Sequence, residues 1–112
     1  MGEAHKILRK EVMPNGTKIQ IEDWKEVYNE KTIWIGAYPK AKRDGRRGYP
    51  RKGESFRLTI CRDFSSDAEV NLIFEALIKG ELRLEDLGEH YYDTQRAKYY
   101  MGFEEIEEEP FM

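Results

Sequence analysis

Seven consecutive residues without a charge, Thr32 to Tyr38, constrain the fold of this chain more than any other feature. The run reads Thr-Ile-Trp-Ile-Gly-Ala-Tyr and stands in a sequence of which 37% of the residues are charged. β-Branched and aromatic residues favour strands. An apolar run without polar alternation indicates a strand that is covered on both faces. We therefore predict that residues 32–38 form a central strand of a sheet.

Strands are predicted on both sides of this run. Residues 7–12 and 18–22 are joined by Met-Pro-Asn-Gly-Thr at 13–17, in which proline and the Asn-Gly pair favour a turn. Residues 18–22 alternate polar and apolar side chains, which is typical of an antiparallel strand with a polar outer face. Residues 23–30 fit either a turn or short helix, which we favour, or a continuation of the strand.

A further strand is predicted at residues 55–61, on the C-terminal side of the central run. From Phe56 onward, its alternation places three apolar residues on one face and three other residues on the opposite face. The apolar set is Phe56, Leu58 and Ile60, and the other set is Arg57, Thr59 and Cys61.

Residues 67–79 carry the strongest helix pattern. Ser66 and Glu69 form a capping box, and Lys79 with Gly80 suits the C-terminal end. The inward-facing residues recur at helical spacing and are Val70, Ile73, Phe74, Leu77 and Ile78.

Two more elements are predicted near the C-terminus. A shorter helix covers 84–92, with Leu84, Leu87 and Tyr91 inward. A last strand covers 97–103, where Tyr99, Met101 and Phe103 alternate with Tyr100 and Gly102.

Together these elements predict one α+β domain over residues 1–103. Its sheet is mostly antiparallel and has about five strands, with one long and one short helix packed on one face. A chain of 112 residues has the size of a single domain, and its fourteen aromatic residues argue against disorder. Residues 104–112 form an acidic tail, in which five carboxylates between 104 and 109 repel one another.

The sequence also bears on location. It has no apolar run long enough for a transmembrane helix, so we expect no contact with a membrane. The start, Met-Gly-Glu-Ala-His-Lys, lacks the apolar stretch of a signal peptide. The single cysteine, Cys61, cannot form an internal disulfide, which favours a reducing, cytoplasmic setting.

Residues 40–53 form a basic loop between two predicted strands. The loop holds seven cations and one anion, so it carries +6, whereas the whole chain carries −3 and the remainder therefore −9. Lysine and arginine contact phosphates, and Tyr49 offers a ring for base stacking. The same cations suit an acidic protein surface, including the chain's own tail. The −9 elsewhere weighs against nucleic acid, because a phosphate binder usually presents a wider basic face. The candidate binding residues are Lys40, Lys42, Arg43, Arg46, Arg47, Tyr49, Arg51 and Lys52.

A sheet with helices on one face leaves its other face open. Trp34, Tyr38, Arg57 and Tyr100 are candidates for that face and for a shared interface, since contiguous exposed apolar patches mark contact sites. A symmetric dimer is the commonest arrangement for a small protein, so we expect a homodimer.

The sequence contains no catalytic signature. The only histidines are His5 and His90, and no His or Cys spacing of a zinc site occurs, so we expect neither a metal nor a cofactor. His90, in Glu-His-Tyr-Tyr-Asp, is a candidate general base, and Cys61, shortly before a helix, is a candidate nucleophile. A structural role is the favoured interpretation of both.

The sequence therefore predicts a small non-enzymatic binding domain. The leading interpretation is protein–protein interaction or self-association, with the basic loop engaging acidic groups. The alternatives are nucleic-acid binding through the same loop and an enzyme of unrecognised type that uses His90 or Cys61.

Overall fold

The chain folds into one antiparallel sheet followed by helices. Its computed structural model describes residues 6–28, 32–42, 47, 49–92 and 95–102. The strands lie in sequence order and are β1 (Lys6–Val12), β2 (Lys18–Asp23), β3 (Ile33–Tyr38) and β4 (Leu58–Phe64). The helices are α1 (Asp67–Lys79), a 3₁₀ helix (Leu84–His90) and α2 (Gln95–Tyr100). The α+β class is confirmed, and β3 is an interior strand as predicted.

The turn chemistry before β2 forms as the sequence predicts. The Gly16 amide donates to the Met13 carbonyl at 2.8 Å, and the Asn15 side chain accepts from the Thr17 amide at 2.9 Å. Beyond β2 the chain turns, because the Tyr28 amide donates back to the carbonyl of Trp24. Residues 29 and 30 of that predicted turn lie outside the described residues.

Helix α1 begins and ends where its caps predict. The Ser66 hydroxyl accepts from the Glu69 amide at 3.3 Å, which satisfies one free donor of the first turn. Gly80 closes the helix in the left-handed region at φ 73°, and its amide donates to the Leu77 carbonyl. Val70, Phe74 and Leu77 are fully buried, whereas Ile73 and Ile78 are partly buried against the same core.

The hydrophobic core lies on one face of the sheet. Alternate residues of β2 and β3 point to it and pack in one cluster with α1. The 3₁₀ helix and α2 add apolar side chains to the same cluster, so all three helical segments share this face. Its members include Ile19, Ile21, Ile33, Ile35, Phe74, Leu84, Leu87, Ala97 and Tyr100.

The predicted strand at 97–103 is wrong, because residues 95–100 form α2. Four of the five residues from Ala97 to Met101 are buried, so the segment lacks the exposed alternate positions that the predicted strand requires. The sheet consequently has four strands in the described part of the chain. Phe103 lies outside the described residues.

Strand β4 is displaced from its prediction and its alternation is interrupted. It begins at Leu58, and Cys61 pairs with Ile35 while Thr59 pairs with Gly36. Ile60 is therefore an extra residue in a β-bulge. The bulge turns Cys61 to the core face, so the prediction that Cys61 shares a face with Thr59 is wrong.

The predicted helix at 84–92 is a shorter 3₁₀ helix. Leu84 and Leu87 are buried as predicted, because residues three apart share one face of a 3₁₀ helix. Tyr91 is half-buried and pairs with Cys61 at the edge of β4.

Candidate binding surface

The sheet face opposite the core carries polar and aromatic side chains, and no described helix packs on it. In register, Glu22 pairs with Trp34, Gln20 pairs with Gly36, and Gly36 pairs with Thr59. Directly opposed residues share a face, so these side chains are neighbours. We call this surface the helix-free face.

A buried carboxylate lies at the centre of the helix-free face. Glu22 is fully buried and accepts hydrogen bonds from Gln20 Nε2 at 2.7 Å and Trp24 Nε1 at 2.9 Å. The Arg57 guanidinium forms an ion pair with it and also donates to the hydroxyl of Thr59. A buried charge is tolerated only when it is paired and hydrogen-bonded, and Glu22 meets both conditions.

The surroundings keep Glu22 ionised. Burial alone would raise the pKa of its carboxyl, but the hydrogen bonds from Arg57, Trp24 and Gln20, together with the Arg57 charge, lower the pKa below its usual value. Gly36 provides the space for this pair, because a Cβ there would lie 2.7 Å from Glu22 Oε2 and 3.1 Å from an Arg57 nitrogen.

Aromatic rings and an arginine cover the other end of this face. Trp34 stacks with Trp24 at a centroid distance of 4.9 Å and with Tyr28 at 5.5 Å. The guanidinium of Arg62 lies 4.6 Å from the Trp34 ring and 4.4 Å from the Tyr92 ring, within cation–π range. We call these five residues the aromatic–arginine stack.

The two outer rings of the stack face solvent. Tyr28 is 58% exposed and Tyr92 is 54% exposed, whereas Trp34 between them is only 9% exposed. Trp34 Nε1 and Arg62 Nε are buried and have no hydrogen-bond partner among the described residues. The stack is thus an internally packed centre with an exposed ring on each side.

The basic loop extends the β3–β4 hairpin and leans toward α2. Lys40 pairs with Ser55 at its base. The ammonium group of Lys42 lies 5.0 Å from the Tyr99 ring, and the guanidinium of Arg96 lies 5.8 Å from the Tyr49 ring.

The structure describes three of the other five cations of the loop. Arg47, Arg51 and Lys52 are exposed, as is the ring of Tyr49. Arg43 and Arg46 lie outside the described residues. The loop base therefore has a fixed place beside α2.

The two sides of the sheet differ in net charge. Lys10 pairs with Gln20 and Lys18 with Tyr38, so the helix-free face carries these lysines as well as Arg57 and Arg62. Two carboxylates lie next to these cations. Glu22 is buried beside Arg57, and the exposed Asp63 approaches Arg62 at 3.8 Å. Segment 67–89, which forms α1 and most of the 3₁₀ helix, carries seven carboxylates and two cations. The acidic residues that weighed against a wide basic face are therefore concentrated on the helical side and in the tail.

The candidate interface residues separate into two groups. Trp34, Tyr38 and Arg57 do lie together on the helix-free face, with Gln20 Nε2 3.4 Å from the Tyr38 hydroxyl. Tyr100 does not, because it belongs to α2 and packs against Phe56 in the core.

Sequence reasoning missed Glu22, Trp24, Tyr28, Arg62 and Tyr92 as members of this surface. The alternation in β2 predicts that its polar positions face solvent, whereas Trp24 from the adjoining turn and the distant Arg57 cover Glu22. Glu22 lies between Ile21 and the charged Asp23, so the local sequence carries no signal for its burial.

The two candidate catalytic residues, His90 and Cys61, are both packed against other parts of the fold. His90 stacks on Phe64 at 4.1 Å, and its ring nitrogens lie 2.9 Å from the Arg62 carbonyl and 3.2 Å from a Glu69 carboxylate oxygen. Cys61 is fully buried, and burial raises the pKa of its thiol. A thiol without a stabilised thiolate is a poor nucleophile. His5 lies outside the described residues.

Within the described ranges, no group of three or more His, Cys, Asp or Glu residues is placed to hold a metal ion. None of the helices in the described part of the chain is long and apolar enough to cross a membrane. A scan against family models, a search of curated proteins and a search of solved structures each found no match.

Proposed function

We propose that this protein is a non-enzymatic binding domain whose cationic side engages a polyanion, and that single-stranded nucleic acid is the partner that fits it best. The cationic side consists of the basic loop and the helix-free face. The observation that carries the proposal is the charge separation across the sheet, combined with exposed rings on the cationic side.

The charge distribution supports a phosphate-binding side. The loop alone carries +6, and it joins β3 and β4 directly beside Tyr38 and Arg57 of the helix-free face. The acidic segment 67–89 lies on the core side, where the sheet separates it from phosphates on the helix-free face. Clustered cations of this kind attract nucleic acid through counterion release, which is strongly salt-dependent.

The exposed rings favour unpaired bases over a duplex. Tyr28 and Tyr92 flank the buried Trp34, and Tyr49 adds a third exposed ring in the loop. Bases of a single strand can stack on such rings, and arginine adds a cation–π contribution. In a duplex the base faces are already stacked, so only the phosphate contacts would remain.

Fluorescence anisotropy with a labelled oligothymidine and a duplex of equal length tests the proposal. We expect tighter binding of the single strand, with the logarithm of the binding constant falling linearly with the logarithm of the salt concentration. Arg47→Gln with Arg51→Gln should reduce this slope by about 1.4, since each lost phosphate contact on a single strand contributes about 0.7. Lys79→Gln with Arg83→Gln, which removes two exposed cations from the helical side, is the charge-matched control and should leave the slope nearly unchanged.

The stacking contribution is tested separately at Tyr92. Tyr92→Ala should weaken binding by about 1–3 kcal/mol, the usual value for one base stacked on an aromatic side chain. Tyr92→Phe keeps the ring and should bind like the wild type. If neither nucleic acid binds at low salt, the proposed function is wrong.

An acidic protein surface, including the chain's own tail, is the second candidate, and one observation favours it. Gly102, the last described residue before the tail, lines a cavity together with Lys40 and Lys42. If the tail engages these cations, Glu104→Gln with Glu105→Gln should strengthen oligonucleotide binding. Glu81→Gln with Glu89→Gln removes two exposed carboxylates from the helical side and is the charge-matched control. Equal effects of both pairs would exclude a specific contact of the tail.

Self-association of the protein also remains a prediction. A symmetric pair joined through the helix-free face would bring its cations together, whereas the helical side of a second copy complements them. We therefore expect a contact between unlike sides of two copies, and self-association at micromolar concentration that weakens as salt rises. Sedimentation equilibrium decides this, because one species of 13.3 kDa at every concentration and salt excludes self-association.

A further inference from the structure

The chain at the end of the 3₁₀ helix attaches to the edge of β4. It runs antiparallel to that strand, and the Tyr92 amide donates to the Ile60 carbonyl at 3.0 Å. This pairing brings His90 beside Arg62. We call residues 90–92 the edge segment. It contributes Tyr92 to the aromatic–arginine stack, and it adjoins the part of β4 that contributes Arg62.

The His90 ring connects the edge segment to two other elements. Its Nδ1 lies 2.9 Å from the Arg62 carbonyl oxygen on β4, and its Nε2 lies 3.2 Å from a Glu69 carboxylate oxygen on α1. The ring also stacks on Phe64 at a centroid distance of 4.1 Å, and the His90 side chain is only 15% exposed. The ring is therefore fixed in place, and each of its nitrogens has one defined partner.

Both partners of the ring are hydrogen-bond acceptors. A backbone carbonyl and an ionised carboxylate have no proton to donate, and a neutral imidazole carries a proton on only one of its nitrogens. The neutral ring can therefore satisfy one of the two contacts, whereas the imidazolium donates to both. Histidine is the side chain that ordinarily changes charge between about pH 5 and 8.

The surroundings decide which contact the neutral ring keeps. The contact with Arg62 is partly buried, whereas the contact with Glu69 is exposed to water. A buried acceptor without a partner costs more free energy than an exposed one, which water can satisfy. The neutral ring therefore keeps its proton on Nδ1. Its Nε2 lone pair then faces the carboxylate, so the contact with Glu69 opens when His90 loses its charge.

The other charged groups near His90 have contacts of their own or face solvent. On β4, Arg62 packs in the stack, and Asp63 forms an ion pair with it at 3.8 Å. On the 3₁₀ helix, Glu89 precedes the histidine and is exposed. Glu69 on α1 is therefore the carboxylate that responds most directly to the charge of the ring.

We propose that His90 is a pH-sensitive positioning residue for the aromatic–arginine stack. As an imidazolium it ties the edge segment both to α1 and to the backbone of Arg62, and as a neutral ring it releases Glu69. The inference rests on the proposed function and adds its regulation, because the segment that His90 ties down contributes Tyr92 to the stack. We expect the stack to be better ordered, and to bind a single strand more tightly, at the acidic end of this pH range.

NMR spectra that correlate the ring protons with the ring nitrogens of histidine test the state of His90 in the whole protein. We expect protons on both nitrogens at the acidic end, and a proton on Nδ1 but not on Nε2 once the ring is neutral. His5→Gln removes the second histidine, so that one ring gives all the signals. A neutral ring with its proton on Nε2 overturns the proposal.

Glu69→Gln is the matched variant, because its amide can donate to the Nε2 of the neutral ring. In the His5→Gln background, oligothymidine affinity should fall about 1.5–5-fold between about pH 5 and 8, the effect of one exposed ion pair. Adding Glu69→Gln should remove most of this fall. Adding Glu89→Gln removes a neighbouring carboxylate and should preserve it. Equal pH profiles with and without Glu69→Gln overturn the proposal.

The two proposals can fail separately. If oligothymidine does not bind at any pH, the proposed function is wrong, and the protection of the Tyr92 amide from hydrogen exchange replaces affinity as the readout. That protection factor should show the same pH dependence and the same response to Glu69→Gln. If oligothymidine binds but neither its affinity nor this protection responds to Glu69→Gln, the role of His90 is wrong and the proposed function stands.

Discussion

The two faces of the same sheet exclude water in different ways. On the core face, Ile21 and Ile35 pair directly and lie under the helices, so burial needs no polar contacts. On the opposite face, Glu22 and Trp34 pair directly and are covered only by long side chains from other strands and turns. An apolar face tolerates any cover of the right volume, whereas a face with a buried carboxylate needs specific donors at specific positions.

The largest effect is expected on the core face. Phe74→Ala should lower the free energy of unfolding by about 3–5 kcal/mol, because it removes buried apolar area and leaves a cavity. Leu72→Ala in the same helix is the control, since Leu72 is 73% exposed and exposed substitutions stay within about 0.5 kcal/mol. Chemical denaturation measures both, and similar losses would show that α1 does not pack through Phe74.

The second largest loss in the free energy of unfolding is expected when the charge partner of Glu22 is removed. Arg57→Ala leaves a buried carboxylate without its cation, and we expect a loss of about 3 kcal/mol, the lower end for a broken buried pair because Arg57 is partly exposed. Arg51→Ala in the exposed loop is the control and should change stability little. In Arg57→Ala combined with Glu22→Gln, part of the loss should be recovered. Additive losses would mean that the two side chains are not coupled.

A smaller loss is expected at Gly36, which lies beside the pair. Gly36→Ala places a methyl group against the Glu22 and Arg57 side chains and should lower stability by about 1–3 kcal/mol, the usual range for overpacking. Chemical denaturation of Gly36→Ala in the Glu22→Ala background, which lacks the carboxyl group, locates the clash. A loss of equal size in both backgrounds would argue for a backbone effect instead.

The last prediction concerns pH. Since the folded pKa of Glu22 is depressed, its contribution to stability is present above the unfolded pKa of about 4.3 and is lost as pH falls through the folded value. Between pH 7 and the acid range, the wild type should therefore lose more stability than Glu22→Gln. Parallel unfolding curves for the two proteins over this range would contradict the role of the ionised carboxylate.

Local signals predicted a large part of the fold. The Asn-Gly turn, the Ser66 cap and the left-handed Gly80 each act within a few residues, so the first hairpin and α1 appear where the sequence places them. The prediction failed at residues 97–103, where two periods fit the same short run, and in β4, where the bulge at Ile60 reverses the alternation. A bulge depends on the partner strand, which the local pattern does not contain.

The candidate site was less predictable than the fold. Trp34, Tyr38 and Arg57 share one face, which alternation and the order of strands suffice to predict, and their part in an interface stays a prediction. Tyr100 lies in the core because its predicted strand is a helix. The sequence did not predict that Arg62 packs on Trp34. The Arg62 side chain reaches Trp34 from a second irregularity of β4, between Cys61 and Phe64, where Asp63 adopts a φ of 66°.

The local sequence was enough to predict the hairpin, the long helix, the class of the fold and the concentration of positive charge in one loop. These properties depend on backbone preferences, on caps and on composition, all of which act over short distances. The burial of Glu22 against an arginine 35 residues away follows from tertiary packing, and so does the difference in net charge between the two sides of the sheet. Both depend on register between strands and on which face the helices cover, and these are settled only when distant segments pack.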